Sequence, residues 1–253
     1  MQSLFDAHLH IIDPRFPLVA NKGYVPSPYT VANYLAQAKP LGIKGGVVVS
    51  GSFQAFDQTY LIAALEALGA GFVGVTQLPT SVTDDEIIRL DNIGVRALRF
   101  HFVRGKEGER ERLATMAARV HELCHWHVEL YIESRMLGEM MPVLRALPAF
   151  SIDHLGLTRD GFNDLLTLVE EGAHVKASGF GRVELDVRLA MRDICSANPA
   201  ALMFGTDLPS TRAPRPFSPD DIALVAECLD AGQAQRVLYD NAKAFYRIGD
   251  QNS

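Results

Sequence analysis

The stretch "LFDAHLHIIDPRFP", Leu4 to Pro17, runs from a strand pattern straight into a proline-containing loop with no glycine in it. That junction decides between two folds. A chain alternating strand and helix either winds into an open, doubly wound sheet or closes into a barrel, and the open sheet carries a G-x-G-x-x-G turn after its first strand. The turn here lacks it, and no G-x-x-x-x-G-K-[ST] loop occurs anywhere. Outward from this point, further β-rich apolar runs recur as "GGVVVSG" (45–51), "FVGVTQL" (72–78), "VRALRFHF" (95–102), "VELYIES" (128–134), "FSIDHLG" (150–156), "HVKASG" (174–179) and "LMFGTDLP" (202–209). Helical patterns follow the runs at 30–40, 57–69, 83–92, 108–125, 136–146, 161–171, 185–197 and 219–247, the last long enough for two helices. Strict alternation implies parallel pairing through right-handed crossovers, and eight such units close most naturally into a (β/α)8 TIM barrel. The expectation is an α/β protein, one barrel domain over residues 1–253, with its active site at the C-terminal face of the strands. Two Pro-rich loops, 11–29 and 209–219, follow strands at that face.

A chain of 253 residues, 48% hydrophobic and 21% charged, can bury one large core. Its net charge of −6 and lack of a basic stripe argue against nucleic acid or an anionic membrane as partner. No signal-peptide pattern opens the sequence, and no apolar run approaches the ~20 residues of a membrane span. We therefore expect a soluble, cytoplasmic protein, with self-association into a homo-oligomer left open. Cys124, Cys195 and Cys228 form no C-x-x-C pair and read as packing residues.

Strand parity sorts the polar residues. In an extended first strand Asp6, His8 and His10 share one face, and Phe5, Ala7 and Leu9 the other. The same alternation turns Arg99 and His101 of the fourth strand into the lumen, as it does His127, Glu129, Tyr131 and Glu133 of the fifth and His174, Lys176 and Ser178 of the seventh. A lumen is normally filled by branched apolar side chains, so this many ionisable groups must pair, bind something or reach the open mouth. His101, His127 and His174 read as hydrogen-bonded core histidines. His8 and His10 differ, because two imidazoles two apart at a strand's carboxyl end project together into the mouth. With His154 after the sixth strand and Asp207 after the eighth, they form a His3Asp constellation on neighbouring strands, the candidate catalytic set. A carboxylate can take a proton from water while imidazoles stabilise the developing oxyanion. The same donors would also suit one zinc ion.

"HELCH", His121 to His125, matches the zinc-protease pattern H-E-x-x-H. Its helix, however, carries one apolar stripe through Leu113, Met116, Ala117, Val120, Leu123 and Cys124, which turns both histidines towards the rim or solvent. We read them as a surface pair.

"DAHLH", "IDHLG", "FGTDLP" and the closing "YDNAKAFYRI" resemble the amidohydrolase superfamily, in its amidohydrolase-related branch of TIM-barrel metal-dependent hydrolases. "GVRALRFHFVRG" and "KGYVPSPY" resemble, within it, the 2-pyrone-4,6-dicarboxylate lactonases. The resemblance implies a hydrolase of a carboxylic ester bond whose partner is a small anionic lactone. It casts Asp207 as general base on the water and places His8, His10 and His154 around that water and the scissile carbonyl. Arg99 and Arg182 would hold substrate carboxylates, with Tyr24 and Tyr131 lining the pocket. Where those lactonases carry a second basic residue beyond the fourth strand this chain reads "FVRG", with Arg104 as the substitute. They work without a metal, so no obligatory cofactor is expected; the alternative is one zinc ion on His8, His10, His154 and Asp207. The two-metal arrangement of the superfamily needs a bridging lysine at the fifth strand, where this chain offers only Glu133. The competing activities are a zinc-dependent decarboxylase and a sugar-acid lactonase. Asp6, two residues before His8, is positioned to orient an imidazole from behind.

Overall fold

Strand and helix alternate from end to end in the computed structural model, which describes residues 3–103 and 108–249. The strands are β1 (Leu4–Leu9), β2 (Ile43–Val49), β3 (Phe72–Thr76), β4 (Val95–His101), β5 (His127–Tyr131), β6 (Phe150–Ile152), β7 (His174–Ala177) and β8 (Leu202–Phe204). The helices between and after them are α1 (Val31–Ala38), α2 (Thr59–Leu68), α3 (Asp84–Ile93), α4 (Glu109–Cys124), α5 (Leu137–Leu144), α6 (Phe162–Glu170), α7 (Val187–Ala197) and α8 (Asp220–Cys228). Short helical segments over Ala231–Phe245 complete the chain. The strands pair in parallel in sequence order, which bears out the (β/α)8 barrel. The tract 219–247 contains more breaks than the single change of helix the periodicity suggests, because a π-turn occupies Arg236–Asp240.

Two apolar layers fill the molecule. Val48, Leu98, Phe100, Val128, Leu130, Val175 and Phe204 point outward and pack against the helices. Inside the barrel, Phe5, Ala7, Val47, Val49, Val73, Val75, Ala97 and Met203 close over the buried Tyr246 from the C-terminal segment. The lower lumen is therefore filled by packed side chains. Burial on this scale is the main stabilising term, at about 25 cal/mol per Å² of apolar surface.

β1 departs from simple alternation. Asp6 pairs with Gly46 but Leu9 with Val48, so three steps on β1 face two on β2, a one-residue bulge. Phe5 and Ala7 consequently lie in the lumen. Asp6 faces the helix layer, where the Tyr34 hydroxyl of α1 donates to it at 3.1 Å. Only past the bulge do His8 and His10 turn inward. The expectation that Asp6 shares their face is thus corrected: the extra residue flips the parity between them.

β8 is short, and residues beyond its end close the barrel. Asp207 N–H donates to the His8 carbonyl at 2.7 Å, and His10 N–H to the Leu208 carbonyl at 2.8 Å. The Asp6 carboxylate completes the seam by accepting from the Thr206 N–H and hydroxyl at 2.8 and 2.7 Å, and from the His8 N–H at 3.2 Å. Asp6 therefore orients backbone rather than an imidazole ring. The cysteines are buried and unpaired, and among the described residues no helix is long and apolar enough to cross a membrane.

Candidate active site

Each polar residue reaches the mouth of the barrel through a local backbone device. His10 leaves the end of β1 and Arg99 and His101 stand on β4, while Tyr131 ends β5. His154 and Asp207 follow β6 and β8 with φ of 52° and 59°. Left-handed backbone at residues other than glycine costs roughly 1–3 kcal/mol and persists where surrounding contacts enforce it. Here the strain points both side chains into the lumen, and His10, His154, Asp207, Arg99, Arg182, His101 and Tyr131 share one cavity. Gly179 makes the crowding possible, since a Cβ there would lie 2.8 Å from His154 Nδ1 and 2.9 Å from Arg182 Nε.

The centre is compact. Asp207 Oδ1 lies 3.5 Å from His10 Nε2 and 3.7 Å from His8 Nε2. The His8 and His10 rings are 5.0 Å apart and nearly perpendicular, and the His154 ring is 4.8 Å from His8. His10 Nδ1 is 2.7 Å from the Val49 carbonyl, and His154 Nδ1 is 2.9 Å from the Ser178 hydroxyl. Arg182 donates to Asp207 Oδ2 and, at 3.0 Å, to the Thr211 carbonyl. Burial pushes the Asp207 carboxyl up, but the Arg182 guanidinium and the surrounding histidines together outweigh it and hold the group well below the usual carboxylate range. Burial likewise drives His8 well below the ordinary imidazole value and His154 down to about 3, so both rings are neutral at pH 7.

That depression makes stability pH-dependent. His154 has a folded value of about 3 against 6.5 for the free ring. Its neutral form belongs to the folded state, so the stability it supports is complete above pH 6.5 and drains away as the pH falls towards 3. From pH 6.5 down to about 5 the loss from this one ring is about 2 kcal/mol, and His8 acts in the same direction. Urea midpoints at neutral and mildly acidic pH should differ accordingly, and by clearly less in His154→Gln. An equal acid sensitivity in that variant would contradict the assignment.

Beneath the centre lies a charged network that parity brought into view only in part. Arg99 donates to Asp153 Oδ2 at 2.8 and 3.1 Å and to the Ser50 carbonyl at 2.9 Å. Lys176 Nζ is 2.5 Å from Glu129 Oε2, 3.4 Å from His8 Nδ1 and 3.7 Å from Asp153 Oδ1. Glu129 in turn accepts from the Tyr246 hydroxyl, and His127 Nε2 lies 3.4 Å from it. Arg99 and Arg182 are thus engaged with Asp153 and Asp207 rather than standing as idle anchors. Asp153 was absent from the sequence-derived set. Alternation would put Asp153 and His154 on opposite faces, and the left-handed turn at His154 brings both inward.

Other expected residues lie elsewhere. Tyr24 is not among those lining the cavity; its ring packs 4.2 Å from the Arg212 guanidinium and ties the loop after β1 to the loop after β8. Arg104 lies outside the described residues. Glu133 pairs with Arg135 at 2.5 Å and is partly exposed. His127 and His174 pack against Phe245 at the lower end of the barrel, whereas His101 lines the cavity. The "HELCH" pair ends α4, with Val120 and Cys124 buried and His125 exposed.

By residue type and spacing alone, two groups of side chains resemble metal ligands. His8, His10 and Asp207 each offer one ligand atom within 4.8 Å of the others, as do His8, Asp153 and His154. The unpartnered buried atoms His8 Nε2 and Asp207 Oδ1 belong to the first of these groups.

Comparison with known proteins gives these residues a context. A family model described as amidohydrolase matches residues 5–248. The chain is 31% identical over 156 residues to a 2-pyrone-4,6-dicarboxylate hydrolase of Comamonas testosteroni, covering 60% of this chain and 51% of that protein. It therefore spans about half the length of that relative. A 4-sulfomuconolactone hydrolase of Rhizobium radiobacter is 26% identical over 271 residues, covering 96% of this chain and 90% of its own. A solved structure from Acinetobacter baumannii, described as a probable 2-pyrone-4,6-dicarboxylic acid hydrolase with citric acid bound, superposes with a TM-score of 0.85 at 19% identity, covering 96% of this chain and 99% of its own. One from Agrobacterium tumefaciens gives 0.85 at 20% identity, covering 98% and 96%. At those identities the structural likeness speaks for the barrel alone.

Proposed function

The chain belongs to the amidohydrolase family, and from that premise we propose that it hydrolyses a carboxylated lactone of the 2-pyrone-4,6-dicarboxylate kind. The observation that carries the reading is one carboxylate, Asp207, flanked by three imidazoles and backed by a guanidinium at the strand mouth. The names of the two hydrolase relatives support the substrate class.

Asp207 acts as the general base. Arg182 anchors its Oδ2, which leaves Oδ1 to take a proton from water held among His8, His10 and Asp207. The water oxygen bonds to the lactone carbonyl carbon, His8 and His154 stabilise the oxyanion, and the ring carbon–oxygen bond breaks. The proton returns from Asp207 to the departing ring oxygen, so lactone plus water gives the ring-opened acid. Arg99, Arg182 and Tyr131 face the substrate carboxylates, Arg104 is the proposed second anchor and Tyr24 borders the entrance. A carboxylate that draws Arg182 partly towards itself loosens its hold on Asp207 and makes that base stronger as substrate binds.

A metal held by His8, His10 and Asp207, with His154 beside it, would supply Lewis-acid polarisation and a more acidic bound water. The proposed reaction has no obligatory need of it, because base, oxyanion partners and anchors are all side chains.

The test is a panel of lactones with and without carboxylates, assayed before and after dialysis against chelator. Carboxylated lactones should turn over at unchanged rate after chelation. Absence of turnover across the panel, or activity lost with chelator and restored only by zinc, would refute this reading.

A further inference from the structure

We propose that Lys176 is a positioning residue that holds His8 in its Nε2–H tautomer, and thereby makes the His8, His10, Asp207 cluster a seat for water in preference to a divalent cation. The inference deepens the lactonase reading and rests on it for the role of that water.

Three atoms converge on the seat. His10 Nδ1 is 2.7 Å from the Val49 carbonyl, which can only accept, so Nδ1 carries the proton and Nε2 presents a lone pair. Asp207 Oδ2 is occupied by Arg182, while Oδ1 is buried without a hydrogen bond, 3.5 Å from that lone pair. His8 Nε2, also buried without a hydrogen bond, lies 3.7 Å from the same oxygen. The occupant is decided by whether His8 Nε2 bears hydrogen. A third lone pair would make the cluster a cation site. A donor would make it a water site, because one water can donate to His10 Nε2 and Asp207 Oδ1 and accept from His8.

The back of the His8 ring answers the question. Lys176 Nζ is 3.4 Å from His8 Nδ1 in hydrogen-bonding geometry, and an ammonium is a donor only. Nδ1 must then accept, which leaves the proton on Nε2. Asp153 Oδ1, equally close to Nδ1 at 3.4 Å, pulls the other way and would hold a proton on that nitrogen, but Lys176 is the neighbour aligned with Nδ1. Lys176 cannot swing away, since it is fully buried and gripped by Glu129 at 2.5 Å. Its positive charge, one imidazole from the seat, also repels a dication directly.

Two readouts test this on the full-length protein without any lactone: the tautomer of His8 by long-range 1H–15N NMR, and zinc binding by calorimetry with zinc chloride as the probe. The wild type and Lys176→Arg, which keeps a cationic donor, should show His8 protonated at Nε2. Replacing the pair together, Lys176→Met with Glu129→Gln, should move the proton to Nδ1, facing Asp153, and tighten zinc binding about tenfold or more. A wild-type His8 protonated at Nδ1, or zinc affinity unchanged in the double variant, overturns the inference. Should the double variant fail to fold, the wild-type spectrum alone decides. A protein that shows the Nε2–H tautomer but hydrolyses no lactone loses the functional reading and keeps this one; turnover with an Nδ1–H ring does the reverse.

Discussion

Asp207→Asn lowers kcat for lactone hydrolysis by about 10² to 10⁴, the usual weight of a positioned general base. The amide matches the carboxylate in size and keeps an oxygen for the Asp207 position, but it cannot accept a proton at neutral pH. It also leaves Arg182 without its buried counter-charge. Removing one member of such a pair costs about 3–5 kcal/mol, so the variant should melt at a lower temperature and must be assayed well below that point. Rate and stability can be separated. Arg182→Met removes the same ion pair from the other side, yet leaves the base in place and more basic, so it should resemble Asp207→Asn in thermal stability while its defect falls on KM. A kcat within tenfold of wild type in Asp207→Asn would remove Asp207 as the base.

Lys176→Met destabilises the fold by about 3–5 kcal/mol, because it strands Glu129 as an uncompensated buried carboxylate. Glu129 and Lys176 both have 0% side-chain exposure, and Asp153, 3.7 Å from the same ammonium, loses part of its support as well. Glu129→Gln alone should be costly too, since it takes from the buried ammonium its 2.5 Å partner and leaves only the more distant Asp153. Changing both residues removes the charge imbalance, so the double variant should recover much of the sum of the single losses. A double-mutant cycle from urea midpoints measures this directly. Additive losses would mean that the two charges do not depend on each other, contrary to their 2.5 Å contact.

The barrel was legible in the sequence because its cause is local and repeated: β-rich runs alternate with amphipathic stretches, and no glycine fingerprint follows the first strand. The outward faces of β4, β5 and β7 obeyed parity, which is why Arg99, Glu129, Tyr131 and Lys176 could be assigned to the lumen from alternation alone. Parity failed where backbone geometry breaks the two-residue period. The bulge in β1 turned Asp6 outward, and the left-handed turn at His154 brought Asp153 inward; neither follows from residue type. The "DH" pair ahead of Leu-Gly was the available signal, an acid beside an imidazole at a strand end. Pairing was equally hidden. Arg99 and Arg182 read as anchors for a ligand, whereas their engagement with Asp153 and Asp207 depends on residues 54 and 25 positions away. Tyr24 sits in a long loop, and its place over Arg212 depends on how two such loops meet.

Asp207 sits on the seam where the two ends of the chain meet. His8 and His10 emerge early in synthesis, but the hydrogen bonds that hold Asp207 beside them join segments about two hundred residues apart and await the final strand. Contacts of such sequence separation carry a loop-closure cost that must be met before they contribute. A nascent chain, or one cut before its eighth strand, would therefore carry the imidazoles without their carboxylate. Chemical competence switches on only when the cylinder is complete, and turnover can serve as a reporter of that closing event in refolding experiments.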